Sequence, residues 1–172
     1  MLRMRVCGAV QVLALALAGC TTTVAGSPAA AGPGVDGLVA DVLADECLLT
    51  AAEFAELVDV PVGPPQQGTV ERGDGTRSAG CVVSAESGPV ALVNVYGVRE
   101  GTPSDYVRVA DTGGRRALPG VGAGAAVIGT AAGPTLQLAS DRHLVTILVS
   151  GSVPTDDEWR AAARAALARL PA

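Results

Sequence analysis

The sequence predicts an α+β domain: an antiparallel sheet of about five strands, packed against two or three helices and closed by one disulfide. Three observations carry this prediction. Residues 136–149 place like residues opposite one another across a two-residue break, as a hairpin does. Thr50 and Thr155 each open a Thr-x-x-Glu motif followed by apolar residues at helical spacing. Cys47 and Cys81 form an even pair in the folded part of the chain.

The elements follow in order. Val35, Leu38, Val39, Val42 and Leu43 recur at helical spacing and read as a helical stripe, weakened by Gly37. A clearer helix starts at Thr50, whose hydroxyl caps the Glu53 amide while the Glu53 carboxylate reaches back. Phe54, Leu57 and Val58 form its buried face, and Pro61 stops it. Residues 66–78 are polar, with Gly73-Asp74-Gly75 at their centre, and read as an exposed loop. Ala79 to Ser84 reads as a strand carrying Cys81, Ser87-Gly88-Pro89 as a turn, and Val90 to Val98 as a second strand.

Thr102-Pro103-Ser104-Asp105 starts a short helix that carries Tyr106, Val107 and Ala110 before Gly113-Gly114. The glycine-rich Pro119 to Gly124 leads into a strand near Ala125 to Gly129. It lacks the Lys-Ser/Thr of a phosphate loop and reads as tight turns. With Asp141-Arg142 as a two-residue turn, Ser140 opposes His143, Leu138 opposes Val145 and Leu136 opposes Ile147; Gln137 opposes Thr146 on the other face. The last helix opens at Thr155-Asp156-Asp157-Glu158. Trp159, Ala162, Ala163, Ala166, Leu167 and Leu170 line one side, with Arg160, Arg164 and Arg169 on the other.

The N-terminus reads as a processing signal. Arg3 and Arg5 precede an apolar run from Val6 to Leu17. About 12 residues suit the core of a signal peptide, whereas a membrane span needs roughly 20. Leu17-Ala18-Gly19-Cys20 resembles the bacterial lipobox, in which the cysteine thiol receives diacylglycerol. The expected organisation is a signal peptide over 1–19, a lipidated Cys20 with a Gly/Pro/Ala-rich tether over 20–35, and a domain over 36–172. An ordinary signal peptide and a retained membrane helix are the competing readings. The expected location is the extracytoplasmic face of the cell membrane, held by an N-terminal lipid such as palmitate, since two acyl chains anchor stably where one does not. Thr23-Val24-Ala25-Gly26-Ser27-Pro28 looks like the start of many mycobacterial lipoproteins.

The cysteine count follows from this reading. Cys7 leaves with the signal and Cys20 takes the lipid, so Cys47 and Cys81 remain in an oxidising compartment and are expected to pair. Two buried thiols or a metal site are the alternatives. A metal site is disfavoured because His143 is the sole histidine and no C-x-x-C occurs.

Charge and composition exclude some functions. All twelve basic residues are arginine; without Arg3 and Arg5, ten face 17 acids, a net −7. Such a chain repels phosphate backbones, so nucleic acid is not an expected partner. Four aromatics, Phe54, Tyr96, Tyr106 and Trp159, are little material for stacking sugars or bases. There is no G-x-S-x-G, H-E-x-x-H or S-x-x-K. His143 reads as a solvated turn residue. Asp45-Glu46 and Asp156-Asp157-Glu158 are paired acids, the second group explained by helix capping. Arg115-Arg116 is a candidate grip for an anionic ligand or lipid head group, with surface exposure the plainer reading.

The order of features also resembles a known family. Glu46-Cys47-Leu48-Leu49-Thr50-x-x-Glu53, Cys81 in the first strand, Leu118-Pro119-Gly120-Val121-Gly122 and an Ala/Arg/Leu-rich final helix are similar to the actinobacterial lipoproteins called domain of unknown function 3558, over roughly residues 40–171. That family often has an aromatic after the second cysteine, where this chain has Val82-Val83. The layout also looks like extracellular sensor domains of mycobacterial receptor kinases. Neither resemblance implies catalytic residues or a cofactor. The expectation is a non-enzymatic ligand-binding or sensor module, with no catalytic residue, no metal and a small-molecule, lipid or envelope-protein partner. An accessory subunit of an envelope complex is the alternative, and an unrecognised hydrolase a third reading.

Overall fold

The computed structural model describes residues 37–40, 43–71, 77–108 and 114–171. The expected signal peptide, Cys20 and the tether lie outside the described residues. The elements are β1 (Leu38–Ala40), α1 (Ala51–Val58), β2 (Gln66–Glu71), β3 (Arg77–Ala85), β4 (Gly88–Val98), α2 (Pro103–Arg108), β5 (Arg115–Ala117), β6 (Gly124–Thr130), β7 (Gly133–Ala139), β8 (His143–Val149) and α3 (Asp156–Arg169). One antiparallel sheet runs β2-β3-β4-β8-β7-β6-β5, and β1 pairs with β4 beside this path.

The fold class is α+β with an antiparallel sheet, three helices and one disulfide, but the sheet has eight strands rather than five. The additional strands are β1, β2 and β5, all short or peripheral. The helical stripe expected at 35–43 is overturned at its centre, where Leu38–Ala40 pairs with Tyr96–Val98 as β1. Gly37 weakens a helix there, and the free edge of β4 offers hydrogen bonds that a single helical turn cannot match. The loop expected at 66–78 contains β2 and the start of β3, paired from Gln66↔Val82 to Glu71↔Arg77. Gln66 to Thr69 are exposed, so no apolar alternation marked that strand. Gly73-Asp74-Gly75 lies outside the described residues, as do Val35, Val42, Ala110 and Gly113.

The hairpin register is as expected: Leu138↔Val145, Gln137↔Thr146 and Leu136↔Ile147. Both capping boxes are present, at Thr50/Glu53 and Thr155/Glu158. The first helix ends at Val58 because Asp59 turns left-handed (φ 57°), two residues before Pro61. The β6–β7 turn requires a glycine: Gly133 has φ 138°, and a Cβ there would collide with the Val149 carbonyl.

Alternation along the strands gives the sheet two different faces. Val83, Val93, Val95, Leu136, Leu138, Val145 and Ile147 point to one face and bury Phe54 of α1 and Trp159 of α3. Ala162, Ala163 and Ala166 let α3 lie close to the sheet. On the opposite face α2 places Val107 over Ala126, Ala139 and Leu144, with Tyr96 and Tyr106 at the margin. The Cys47–Cys81 disulfide joins the segment before α1 to β3, with Cα atoms 4.8 Å apart and 34 residues of separation. Arg169, placed by helical periodicity on the polar side of α3, turns across to α1: its Nη1 donates to the Leu48 carbonyl at 2.9 Å and its Nη2 to Glu53 Oε1 at 3.0 Å.

Replacing both cysteines by alanine is expected to cost roughly 3–4 kcal/mol, read as a lower chemical-denaturation midpoint. Partial burial raises the Glu53 pKa, but the Thr50 amide and hydroxyl and the Arg169 guanidinium outweigh it and hold the carboxyl below its ordinary 4.5. A lowered carboxylate stabilises above its unfolded value and loses that contribution as pH falls through the folded one. Glu53→Gln should therefore be less stable than the parent at neutral pH, with the gap narrowing as pH falls below 4.5.

Candidate functional site

The site is built at one end of the sheet, where β1, β4 and β8 lie side by side. Their pairing puts Val39, Gly97 and His143 in one row. Gly97 brings no side chain to the middle of that row, and all three residues line a pocket. The pocket measures about 440 Å³ and is also lined by Arg99 and Thr102 after β4 and by Asp141 and Arg142 of the β7–β8 turn.

Each wall has a local cause. Asp-Arg is not a favoured two-residue turn pair, and the Ser140 hydroxyl supplies what the pair lacks. It accepts from the His143 amide at 2.9 Å and the Arg142 amide at 3.3 Å, while the Ser140 amide donates to the His143 carbonyl at 2.9 Å. On the other wall the Arg99 amide donates to the Gly37 carbonyl at 2.9 Å, which extends the β1–β4 pairing. The Thr102 amide donates to Asp105 Oδ2 at 2.9 Å and its hydroxyl to the same oxygen at 2.8 Å, closing the start of α2. The Tyr106 hydroxyl donates to the Glu100 carbonyl at 3.0 Å and holds the loop between β4 and α2.

His143 is the main correction. It was expected to be solvated at a hairpin end, but it is 6% exposed. The hairpin alone does not show which strands flank it: β4 lies against β8 and β1 against β4. His143 therefore sits three strands deep, on the face of β8 that carries Val145 and Ile147.

The other candidates disperse. Cys47 and Cys81 are bonded to each other. Asp45 Oδ1 accepts from the Cys47 amide at 2.9 Å and Glu46 Oε1 from the Leu43 amide at 3.3 Å, so both acids order their own segment. Glu158 caps α3, and its carboxyl is lowered by the Thr155 amide and hydroxyl. Arg115 donates to Gln137 and Arg116 pairs with Asp156, so neither reaches the pocket. The pocket arginines are Arg99 and Arg142; the sequence reading used Arg142 only as a turn residue and Arg99 not at all. Only the β4–β8 register, a non-local pairing, brings them to one end of the sheet.

The lining offers two guanidiniums, an imidazole, a hydroxyl and one carboxylate. Such groups are chemically suited to polar ligands. Among the described residues no group of three or more His, Cys, Asp or Glu is placed to hold a metal ion, and no helix is long and apolar enough to cross a membrane. The chain matches no protein-family model, no curated protein and no solved structure.

A Cβ on Gly37 would collide with the Tyr106 hydroxyl and come within 3.3 Å of its ring carbon. Gly37→Ala is expected to destabilise by about 1–3 kcal/mol. Tyr106→Phe in the same chain should restore part of that loss, so a double-mutant cycle in denaturant should show the two residues coupled.

Proposed function

We propose that this chain is a lipid-anchored extracytoplasmic lipoprotein, of the domain of unknown function 3558 type, that acts as a non-enzymatic ligand-binding or sensor module. Residues 1–19 would export it and Cys20 would carry the acyl chains. The pocket at the β1–β4–β8 end supports the reading most directly. Its volume of about 440 Å³ falls within the range of small-ligand sites, and buried and charged polar groups converge on it. Cavity and lipobox together suit a receptor domain held at a membrane surface.

The alternative, an accessory subunit of an envelope complex, draws support from the other face of the sheet. Val82, Leu92 and Leu148 stand next to one another across β3, β4 and β8, half-buried, along an apolar hollow of about 290 Å³. A partner covering that row would bury them.

Two measurements test the reading. Cys20→Ala should abolish incorporation of a palmitate label and release the protein from the membrane fraction. Native mass spectrometry of the lipoprotein purified from its own host should show a bound small molecule. Gly97→Val, which puts a side chain on the pocket row, should remove it. A stoichiometric protein partner with an unoccupied pocket would favour the subunit reading instead.

A further inference from the structure

We infer that the pocket takes a phosphorylated polyol, its phosphate held by Arg99 and Arg142; the inference rests on the ligand-binding reading above. The mature sequence would carry a net −7, yet two arginines from separate segments, the β4–α2 loop and the β7–β8 turn, line this one cavity. Guanidinium forks match phosphate oxygens geometrically, and charge-assisted bonds of this kind are roughly twice as strong as neutral ones. His143 adds an imidazole to the lining and is itself buried.

The remaining groups argue against bare phosphate. Asp141 is an acceptor beside Arg142 and would repel a dianion placed against it, whereas it can accept from ligand hydroxyls. A cavity of about 440 Å³ also has room for much more than one phosphate group. A phosphate carried on a short polyol satisfies both arginines and the carboxylate together.

The position of the pocket admits two sources of this chemistry. Val39, in the pocket wall, is nineteen residues after Cys20. The contour of that segment is at most about 65 Å, so a lipidated Cys20 would keep the Val39 wall within that distance of its lipid. The ligand is then either a glycerophosphate lipid head group or a soluble polyol phosphate.

His143 provides the readout, because the only histidine gives one set of imidazole NMR signals. The probes are glycerol 3-phosphate, inorganic phosphate and glycerol, added to the mature lipoprotein in neutral detergent micelles. A parallel series uses micelles doped with phosphatidylglycerol or phosphatidylcholine. The expected result is a saturable shift with glycerol 3-phosphate, weaker with inorganic phosphate, absent with glycerol and reduced by added salt. Arg99→Gln and Arg142→Gln should each weaken binding roughly tenfold or more. Arg164→Gln, exposed on α3, should leave it unchanged.

A shift with phosphatidylglycerol but not phosphatidylcholine supports the inference and assigns the lipid source. A shift with glycerol 3-phosphate alone supports it and assigns the soluble one. No movement with any phosphate overturns it. If a neutral molecule found by mass spectrometry moves the His143 signals instead, the phosphate inference fails while the ligand-binding reading stands. If the purified protein is empty and nothing moves His143, both fail.

Discussion

Residues Glu46 to Thr50 carry the constraint on which the helical layer depends. Cys47 is tied to β3 by the disulfide, and the Leu49 amide turns back to the Cys47 carbonyl at 2.6 Å. Between them Leu48 adopts φ 55°, a left-handed conformation that costs a non-glycine residue of order 1–3 kcal/mol. It persists because its surroundings over-determine it. The Leu48 side chain is fully buried and its carbonyl accepts from Arg169. The reversal delivers Thr50 in the extended conformation that an N-cap needs, and α1 starts there. Arg169 then joins that start to the end of α3 through Glu53. A covalent bond, a strained residue and one arginine thus position both helices over the sheet.

The eleven-residue β4 has a comparable role within the sheet. On one side its first half pairs with β3, up to Val93, and its last three residues pair with β1. On the other side it pairs with β8 from Ala91 to Gly97. The edge beside β4 therefore changes partner along its length. Where β1 takes over, the row Val39–Gly97–His143 forms, and α2 covers the opposite face through Val107 and Leu144. The pocket lies where this exchange of neighbours occurs, with all three residues of the row in its lining.

What could be read from the sequence was local. Capping boxes span four residues, and the β7–β8 hairpin register follows from which residues oppose one another across a two-residue turn. The disulfide followed from counting cysteines within an inferred compartment. The missed strands are those whose structure comes from their partners. β1 and β5 are three residues each, and β2 is polar along an edge. Apolar residues at 38, 39 and 43 satisfy a helical spacing as well as a strand, and only the open edge of β4 decides between them. His143 was misplaced for the same reason, since its burial is created by β4 and β1. Arg99 and Arg142 are 43 residues apart in sequence, so their convergence had no local signal at all.

Net charge bears on how a phosphate ligand would reach the pocket. An acidic chain does not draw anions from a distance, and at physiological salt its field is screened within about 8 Å. Arg99 and Arg142 therefore act at short range, on molecules already close. On the proposed reading, the lipid on Cys20 provides that closeness. A domain held within a fixed contour of a phosphate-bearing surface meets its ligand at an effective concentration set by tether length, without electrostatic steering. Acidic character then has a use. On that reading it would keep the rest of the domain off an anionic membrane, while a pocket holding two arginines, whose β1 wall is nineteen residues after Cys20, would still engage it.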